Sequence, residues 1–561
     1  MRSLRMSLPM LPGRRDLAAM RQDPARDLLC GVTVAIVALP LALAFGASSG
    51  VGARAGLATA VVAGALAALF GGSNLQVSGP TGAMTVVLVP IVHRFGPRGA
   101  FMVGLMAGAV LLVLAAARIG RYARFLPTPV IEGFTAGIAV VIALQQVPAV
   151  LGIGGLHGDK VWRVAAEAVA RFAAHPACAP VLMALTVTVA LLVGARLRPG
   201  IPFSLPVVAV VTLAADLAGV HVARVGNLPA GLPAPSLAFF DPAALEELLP
   251  SALAVAALAA LASLLCASAA DAMSVRERHD PDRELFGQGL ANLITPLFGG
   301  VPATADIART AVNVRAGARS RLAALTHAAI LGVVVFAAAP LVGRIPLAAL
   351  AGVLLATTAR MVDVGAVSAL ARTTRGDGVV MGLTFLVTVA LDLVTAVAVG
   401  LGAAILLALR AVARTANAEV ERVELPGADH SAEERRLLDE RIVAYRLDGP
   451  LFFAAASDFL RRLSEVTDVR VVILRMSRVS TIDATGARLL RNAIRALDNR
   501  GIAVLASGVR PGHTEVLTVM GGLEGNVFLD TPEAIAHARA LLASAPAAVP
   551  AVAARPSVAP T

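Results

Sequence analysis

Arg309 lies three residues after Asp306 in a stretch that otherwise holds small and apolar side chains, Phe298-Gly299-Gly300-Val301-Pro302-Ala303-Thr304-Ala305-Asp306-Ile307-Ala308-Arg309. A cation in apolar surroundings is costly enough to be functional by default, and the forked donors of a guanidinium suit an oxyanion. A second stretch has the same shape: Phe70-Gly71-Gly72-Ser73-Asn74-Leu75-Gln76-Val77-Ser78-Gly79-Pro80-Thr81-Gly82-Ala83-Met84. In both, an apolar run ends in Phe-Gly-Gly, a polar interruption with Pro and Thr follows, and a short segment resumes. Thr81, Gly82 and Ala83 are expected to open the first resumed helix, and Thr304, Ala305, Asp306, Ile307 and Ala308 the second. Small residues let backbone N–H groups approach a ligand, Thr adds a hydroxyl, and a helix N-terminus favours negative charge. The chemistry these residues could do is the binding of an anion.

The elements that position them must be membrane helices. Of 561 residues, 57% are apolar and 15% charged, mean hydropathy is +0.78, and the charges cluster between apolar runs such as Phe101 to Ala117. Inside a bilayer a helix breaks only where protein or a water-filled cavity satisfies the freed backbone groups, so matched breaks in two halves of a chain point to a transporter's binding site. At about 20 residues per full span, spans fall at 29–48, 54–70, 80–92, 99–117, 129–147, 179–195 and 205–220, then at 247–271, 284–298, 306–315, 322–342, 346–361, 377–391 and 394–412. These are two repeats, 29–220 and 247–414, and seven being odd, they lie inverted in the membrane. Leu126-Pro127 and Ile345-Pro346, opening the fifth and twelfth spans, echo one another.

Charge gives an independent check. Arg118/Arg121/Arg124, Arg196/Arg198, Arg276/Arg278/Arg283, Arg315/Arg319/Arg321, Arg360/Arg372/Arg375 and Arg410/Arg414 fall in turns of one side, whereas Asp241, Glu246, Glu247 and Asp392 fall on the other, with Arg94 and Arg98 the exceptions. The positive-inside rule then puts both termini in the cytoplasm of a plasma-membrane protein. The net charge of +11 reports this topology, and nucleic acid is not an expected partner. The basic lead 1–28 is too long, and followed by too many apolar runs, for a cleaved signal peptide.

Cys30, Cys178 and Cys266 show no paired spacing, and no cofactor is implied. Without a Gly-x-x-x-x-Gly-Lys loop, and with Lys160 the one lysine, transport would be secondary and not driven by nucleotide hydrolysis. After a polar linker at 415–440, strands at 442–447, 471–474 and 502–505 alternate with helices at 484–497 and 532–542. This is a small α/β domain over 441–544, and the Ala/Pro/Val tail 545–561 reads as disordered.

Val37-Ala38-Leu39-Pro40-Leu41-Ala42-Leu43-Ala44-Phe45, Ser78-Gly79-Pro80-Thr81-Gly82, Pro127-Thr128-Pro129-Val130-Ile131-Glu132-Gly133-Phe134 and Gly287-Gln288-Gly289-Leu290-Ala291-Asn292 resemble the SulP anion permeases. Leu447-Asp448-Gly449-Pro450-Leu451-Phe452-Phe453 and Ile482-Asp483-Ala484-Thr485-Gly486 resemble the STAS domain that these permeases carry. The resemblance implies a transport core moving against a gate domain in an elevator-like way, an anion between the third and tenth spans close to Arg309, a homodimer, and a small oxyanion substrate, bicarbonate or sulfate. It also implies a coupling ion, Na+ or H+. The sodium-coupled bicarbonate branch, which the runs at Leu39 and at His279 to Asn292 approach most nearly, has an acid where this chain has Ala262 and a hydroxyl where it has Cys266.

Asp306 therefore has two readings: a helix-start residue that favours the dipole and partly neutralises Arg309, or a coupling group replacing the absent acid. Asp271 and Glu132 are expected to form structural hydrogen bonds, and Asp392 to tip an external turn. Asp483 and Thr485 are the regulatory candidates of the STAS domain, Thr485 lying where free-standing STAS proteins have phosphorylatable residues. Two other functions fit the same features: an uncoupled anion channel or exchanger, which Ala262 would permit, and a STAS sensor anchored by its spans.

Overall fold

Where the helices stop is dictated by glycine, proline and short polar caps. The computed structural model describes residues 11–544 apart from 122–126, 157, 159, 199–200, 275–277, 363, 366, 369–374, 392, 416, 421–440, 452–468, 483, 512, 514–522 and 524. Asp392, Asp483 and the tail 545–561 thus lie outside the described residues, as does the Thr485 side chain. The chain divides into two compact units, 1–402 and 403–561.

Helix occupies every stretch read as a span, the last helix running from the first unit into the second. In chain order the helices are α1 (Arg14–Gln22), α2 (Pro24–Ser48), α3 (Ala53–Phe70), α4 (Gly82–Ala116), α5 (Thr128–Leu151), α6 (Val161–Ala174), α7 (Cys178–Leu197), α8 (Ser204–Leu217), α9 (Leu245–Met273), α10 (Pro281–Ile294), α11 (Ile307–Ala316), α12 (Leu322–Ala337), α13 (Ala339–Gly343), α14 (Leu347–Met361), α15 (Arg375–Ala390) and α16 (Leu393–Thr415). Among the described residues, six are long and apolar enough to cross a bilayer by themselves, and five more are shorter apolar helices. The expected third and fourth spans run on as α4, broken at Gly96, whose φ of 68° belongs to the left-handed region that glycine tolerates. Helices α1 and α6 fall outside every predicted span.

The helices pack in two sets. One joins α2, α3, α4, α9, α10, α11 and α12; the other joins α5, α7, α8, α14 and α15. Close approach in the first set rests on small residues: α3 buries Ala55, Ala58, Ala60, Ala63, Gly64 and Ala67, the composition that membrane helices use where dispersion and backbone proximity must hold them together. Leu182, Leu185 and Val189 of α7, Leu213 and Leu217 of α8, and Val333 and Phe336 of α12 point outward, an apolar exterior suited to lipid.

Between α3 and α4, and again between α10 and α11, the chain is extended. Strand β1 (Ser78–Gly79) and strand β2 (Thr304–Ala305) pair antiparallel, Ser78 opposite Ala305 and Gly79 opposite Thr304. The two interruptions meet.

The second unit is a five-stranded sheet of β3 (Asn417–Val420), β4 (Ile442–Leu451), β5 (Val471–Ile482), β6 (Ala503–Ser507) and β7 (Val527–Phe528) in that spatial order, with β3 antiparallel and the others parallel. Helices α17 (Ala484–Asp498) and α18 (Thr531–Ser544) complete it. Side chains alternate across β5: Val472, Leu474 and Met476 join Leu490 and Ile494 of α17, while Val471 and Ile473 join Ala534, Ile535 and Ala538 of α18. Strand β3 falls in the stretch read as a linker, so the sheet begins earlier than the composition suggested.

On the membrane unit, Arg321 before α12 closes the end of α3. Its guanidinium donates to the carbonyls of Ala68, Leu69 and Gly71 and to Asn74 Oδ1, a cation meeting a helix C-terminus. Asp16 of α1 lies 3.1 Å from Arg321 and 2.8 Å from Arg283. Burial alone would raise the Asp16 carboxyl, but the Arg283 hydrogen bond, the Gly13 N–H and the Arg321 charge outweigh it and hold it below the ordinary carboxylate value. A depressed folded value makes this contribution complete above the unfolded pKa of about 4 and lost as pH falls through the lower folded one. In thermal unfolding of the detergent-solubilised protein, Asp16→Asn should be less stable by about 1–3 kcal/mol at neutral pH, and the gap should close below about pH 4.

Candidate functional site

Extended backbone at β2 leaves Asp306 in a β conformation, so that its carboxylate turns back over the first turn of α11. Oδ1 accepts from the N–H groups of Ala308 (2.8 Å) and Arg309 (3.3 Å), and Oδ2 from Arg309 Nε (3.0 Å). Arg309 is fully buried. Its Nη2 donates to the Pro80 carbonyl at 2.8 Å, reaching from the second repeat into the first. Its Nη1 has no hydrogen-bond partner among the described residues, and a buried charged donor left unmet costs about 1–3 kcal/mol or more.

Gly79 makes room for that arm. A Cβ built there would lie 2.5 Å from Arg309 Nη1, and the residue's φ of 156° is one that other side chains rarely adopt. On the opposite wall Thr81 is the N-cap of α4, yet its side chain caps nothing, and its buried hydroxyl has no partner among the described residues. Gly82 lets Ile142 of α5 approach, since a Cβ would fall 2.1 Å from Ile142 Cδ1. Ile307, at the start of α11, is 48% exposed, and Ala308 beside it is exposed too.

The structure thus brings Thr81, Gly82 and Ala83 to the start of one helix and Asp306, Ile307, Ala308 and Arg309 to the start of another, on neighbouring strands. Thr304 and Ala305 need correction. They precede α11 and belong to β2, because Asp306 needs extended backbone before it in order to cap. Their donors are also engaged: the Thr304 hydroxyl bonds the Ala305 carbonyl, and the Ala305 N–H bonds Ser263 Oγ of α9. Ala262, the position lacking an acid, adjoins Ser263, and Cys266 Sγ lies 3.2 Å from Thr310 Oγ1. Asp271 makes an expected structural bond, 2.7 Å to His279 Nδ1.

Sequence reasoning missed the uncharged polar side chains that hold the strands. Asn292 clasps Ala303, accepting from its N–H at 2.8 Å and donating to its carbonyl at 2.9 Å. Thr59 Oγ1 does the same for Val301. Thr310 Oγ1 accepts from the Val77 N–H, and Asn313 donates to the Leu75 carbonyl. Gln288 Nε2 donates to Ser78 Oγ (2.7 Å) and to Glu284 Oε1 (2.9 Å). That buried carboxylate also takes Gln76 Nε2 and the Gly72 N–H. The signal that could have found them is the rule that polar groups inside a membrane segment are expensive and so have work there.

Two opposed helix starts, a buried guanidinium with a spare arm, and a polytopic apolar scaffold define a membrane protein that handles anions. The sulfate permease family model matches residues 25–384 and the STAS domain model residues 438–534. The chain belongs to the sulfate permease family, whose members transport anions and are not enzymes. A putative sulfate transporter of Bacillus subtilis, YvdB, is 32% identical, aligned over 88% of this chain and 93% of its own. The bicarbonate transporter BicA of Synechocystis is also 32% identical, over 91% and 94%. The solved transmembrane domain of a cyanobacterial BicA superposes with a TM-score of 0.62 at 32% identity, covering 67% of this chain and 98% of that one. The murine anion transporter Slc26a9 shares the fold, with a TM-score of 0.81 at 17% identity over 93% and 92% of the two chains.

If Gly79 exists to seat the guanidinium, Gly79→Ala should push Arg309 aside and weaken anion binding by about tenfold or more, roughly 1.4 kcal/mol. Isothermal titration of the purified protein with sulfate and with bicarbonate reads it, and unchanged affinity for whichever anion binds would detach Gly79 from the site.

Proposed function

We propose that this chain is a secondary active transporter of a small inorganic oxyanion, bicarbonate or sulfate, with fourteen crossings in two inverted repeats and both termini in the cytoplasm. The observation that carries the reading is the fully buried Arg309, held at Nε and Nη2 and unpartnered at Nη1, beside two helix starts whose dipoles favour negative charge. The substrates named for YvdB and BicA supply the two candidates. Donors of this kind read charge and size, so an uptake panel of labelled anions must choose between them.

The placement of the candidate ligands supports an elevator-like cycle. Thr81, Gly82 and Arg309 all belong to the set of α2, α3, α4, α9, α10, α11 and α12. In this reading that set is the core and the α5, α7, α8, α14 and α15 set the gate. A homodimer and a plasma-membrane location belong to the same reading. Asp306 is its cap and counter-ion: its oxygens take three N–H donors from α11, which leaves ion coupling to another group.

Arg309→Ala should cut proteoliposome uptake by at least about thirtyfold, the equivalent of 2 kcal/mol for truncating one partner of a buried charged contact; near-normal uptake would end the proposal. Asn can still cap a helix, so Asp306→Asn should keep a folded carrier whose uptake depends on pH as the wild type does. Loss of that dependence would return the coupling role to Asp306.

A further inference from the structure

Behind the paired strands, α12 sets His327 against α3. The side chain is fully buried, and neither ring nitrogen has a hydrogen-bond partner among the described residues. The Ala324 carbonyl one turn back lies nearby without reaching hydrogen-bond geometry. A neutral imidazole carries one N–H and one bare nitrogen, so a donor and an acceptor are both left unmet in the interior. Buried polar groups are nearly always paired, and an exception asks for a use.

The ring's place suggests the use. A Cβ built on Gly64 of α3 would lie 3.4 Å from the Ser78 carbonyl and 3.9 Å from His327 Cε1, so the imidazole stands beside β1 across a gap left by a glycine. The elements packed on α12 are α2, α3 and α13. Their charged residues are Arg26 and Asp27 at the start of α2 and Arg54 at the start of α3, with Arg321 preceding α12 itself. Asp27 is taken up by the Arg319 N–H and Ser320, and Arg321 by the end of α3 and Asp16. Arg309 stands at the same strand: its Nη1 would lie 2.5 Å from a Cβ built on Gly79, the residue after Ser78, which packs on Ala60 one turn before Gly64.

We propose that His327 is the proton-carrying residue of the transport cycle, loading a proton as the anion settles on Arg309 and giving it up where the anion leaves. The inference rests on the reading of Arg309 as the anion's ligand. With the site empty, a second cation beside Arg309 is opposed by like charge. An anion at Nη1 offsets the guanidinium and makes the imidazolium less costly. By linkage the proton then strengthens anion binding by the same factor. One N–H bond forms at the bare nitrogen, with a proton taken from water on one side and returned to water on the other. The ring is sealed in the structure, so loading belongs to a step in which the site opens.

The test uses the full chain in proteoliposomes held at zero membrane potential, with trapped pyranine reporting protons and labelled sulfate and bicarbonate run in parallel against protein-free vesicles. With a tenfold inward proton gradient, one proton per anion allows about tenfold accumulation of a monovalent anion, and wild-type uptake should acidify the lumen. His327→Gln should abolish both accumulation and acidification while exchange of labelled for unlabelled anion continues, which shows a folded protein with an intact anion site. If His327→Gln also loses exchange, His327→Asn and proton uptake per anion bound to the wild type, measured between about pH 6 and 8 around the ordinary histidine value, take its place: pH-independent anion binding with no proton taken up overturns the proposal. So does a His327→Gln carrier that still accumulates anion on the gradient, or a wild type that moves anion without protons. Arg309→Ala reports separately: exchange that survives it removes the anion site and leaves the histidine result to stand alone.

Discussion

The structure depends on one buried guanidinium. Taking a cation out of water is expensive, and what keeps Arg309 folded inside is a set of partners drawn from both repeats: the Asp306 carboxylate on its own helix and the Pro80 carbonyl on the other. The Asp306 contact is local to the start of α11, but the Pro80 carbonyl is within reach only when β1 and β2 lie side by side, so the second arm of the guanidinium and the strand pairing support one another. A carboxylate alone would have closed the site by neutralising it. Asp306 is instead divided among three N–H donors, so its negative charge is shared between the helix start and the Nε side of the guanidinium, and the Nη1 arm stays open to a guest.

That arrangement needs space as much as charge. Gly79 under the guanidinium and Gly82 beneath Ile142 are each a missing Cβ at which a larger residue would clash with a neighbour, whereas a Cβ on Gly64 would meet Ser78 and His327 at ordinary contact distance. The polar clasps of Thr59 on Val301 and of Asn292 on Ala303 meet the backbone N–H and C=O groups of the segment leading into β2 without water, while Gln288 holds the Ser78 hydroxyl of β1. A two-residue ladder has little stability by itself. Here it is positioned by side chains from α3 and α10, which explains how strands so short can set the geometry of a binding site.

Much of this was legible in the residues, and the remainder failed for identifiable reasons. Breaks in apolar helices are visible because Gly, Pro and Thr interrupt long runs, and Arg309 is visible because charge in such a run is conspicuous. The start of α11 was misjudged by two residues: Thr304 and Ala305 read equally well as helix or strand, and only the capping geometry of Asp306 decides. Gln288, Asn292 and Thr59 were hidden because an uncharged polar residue in a helix carries no direction until its neighbours are known. His327 lies in a run, Leu322 to Ala337, whose hydropathy says span and nothing more. In the second unit, β3 escaped because four residues paired to a distant strand have no periodicity of their own.

Antiparallel pairing of β1 and β2 has a geometric result that parallel repeats could not give. Chains that run oppositely through the pair lead in opposite senses into the starts of α4 and α11. The two helix starts differ in side chains: the first offers helix N–H groups and the Thr81 hydroxyl, the second a full charge with its own counter-ion. On the reading proposed above, an anion there would meet dipoles on one wall and a cation on the other. Both walls belong to one packed set of helices, so in that reading a displacement of the set would carry the whole site with it.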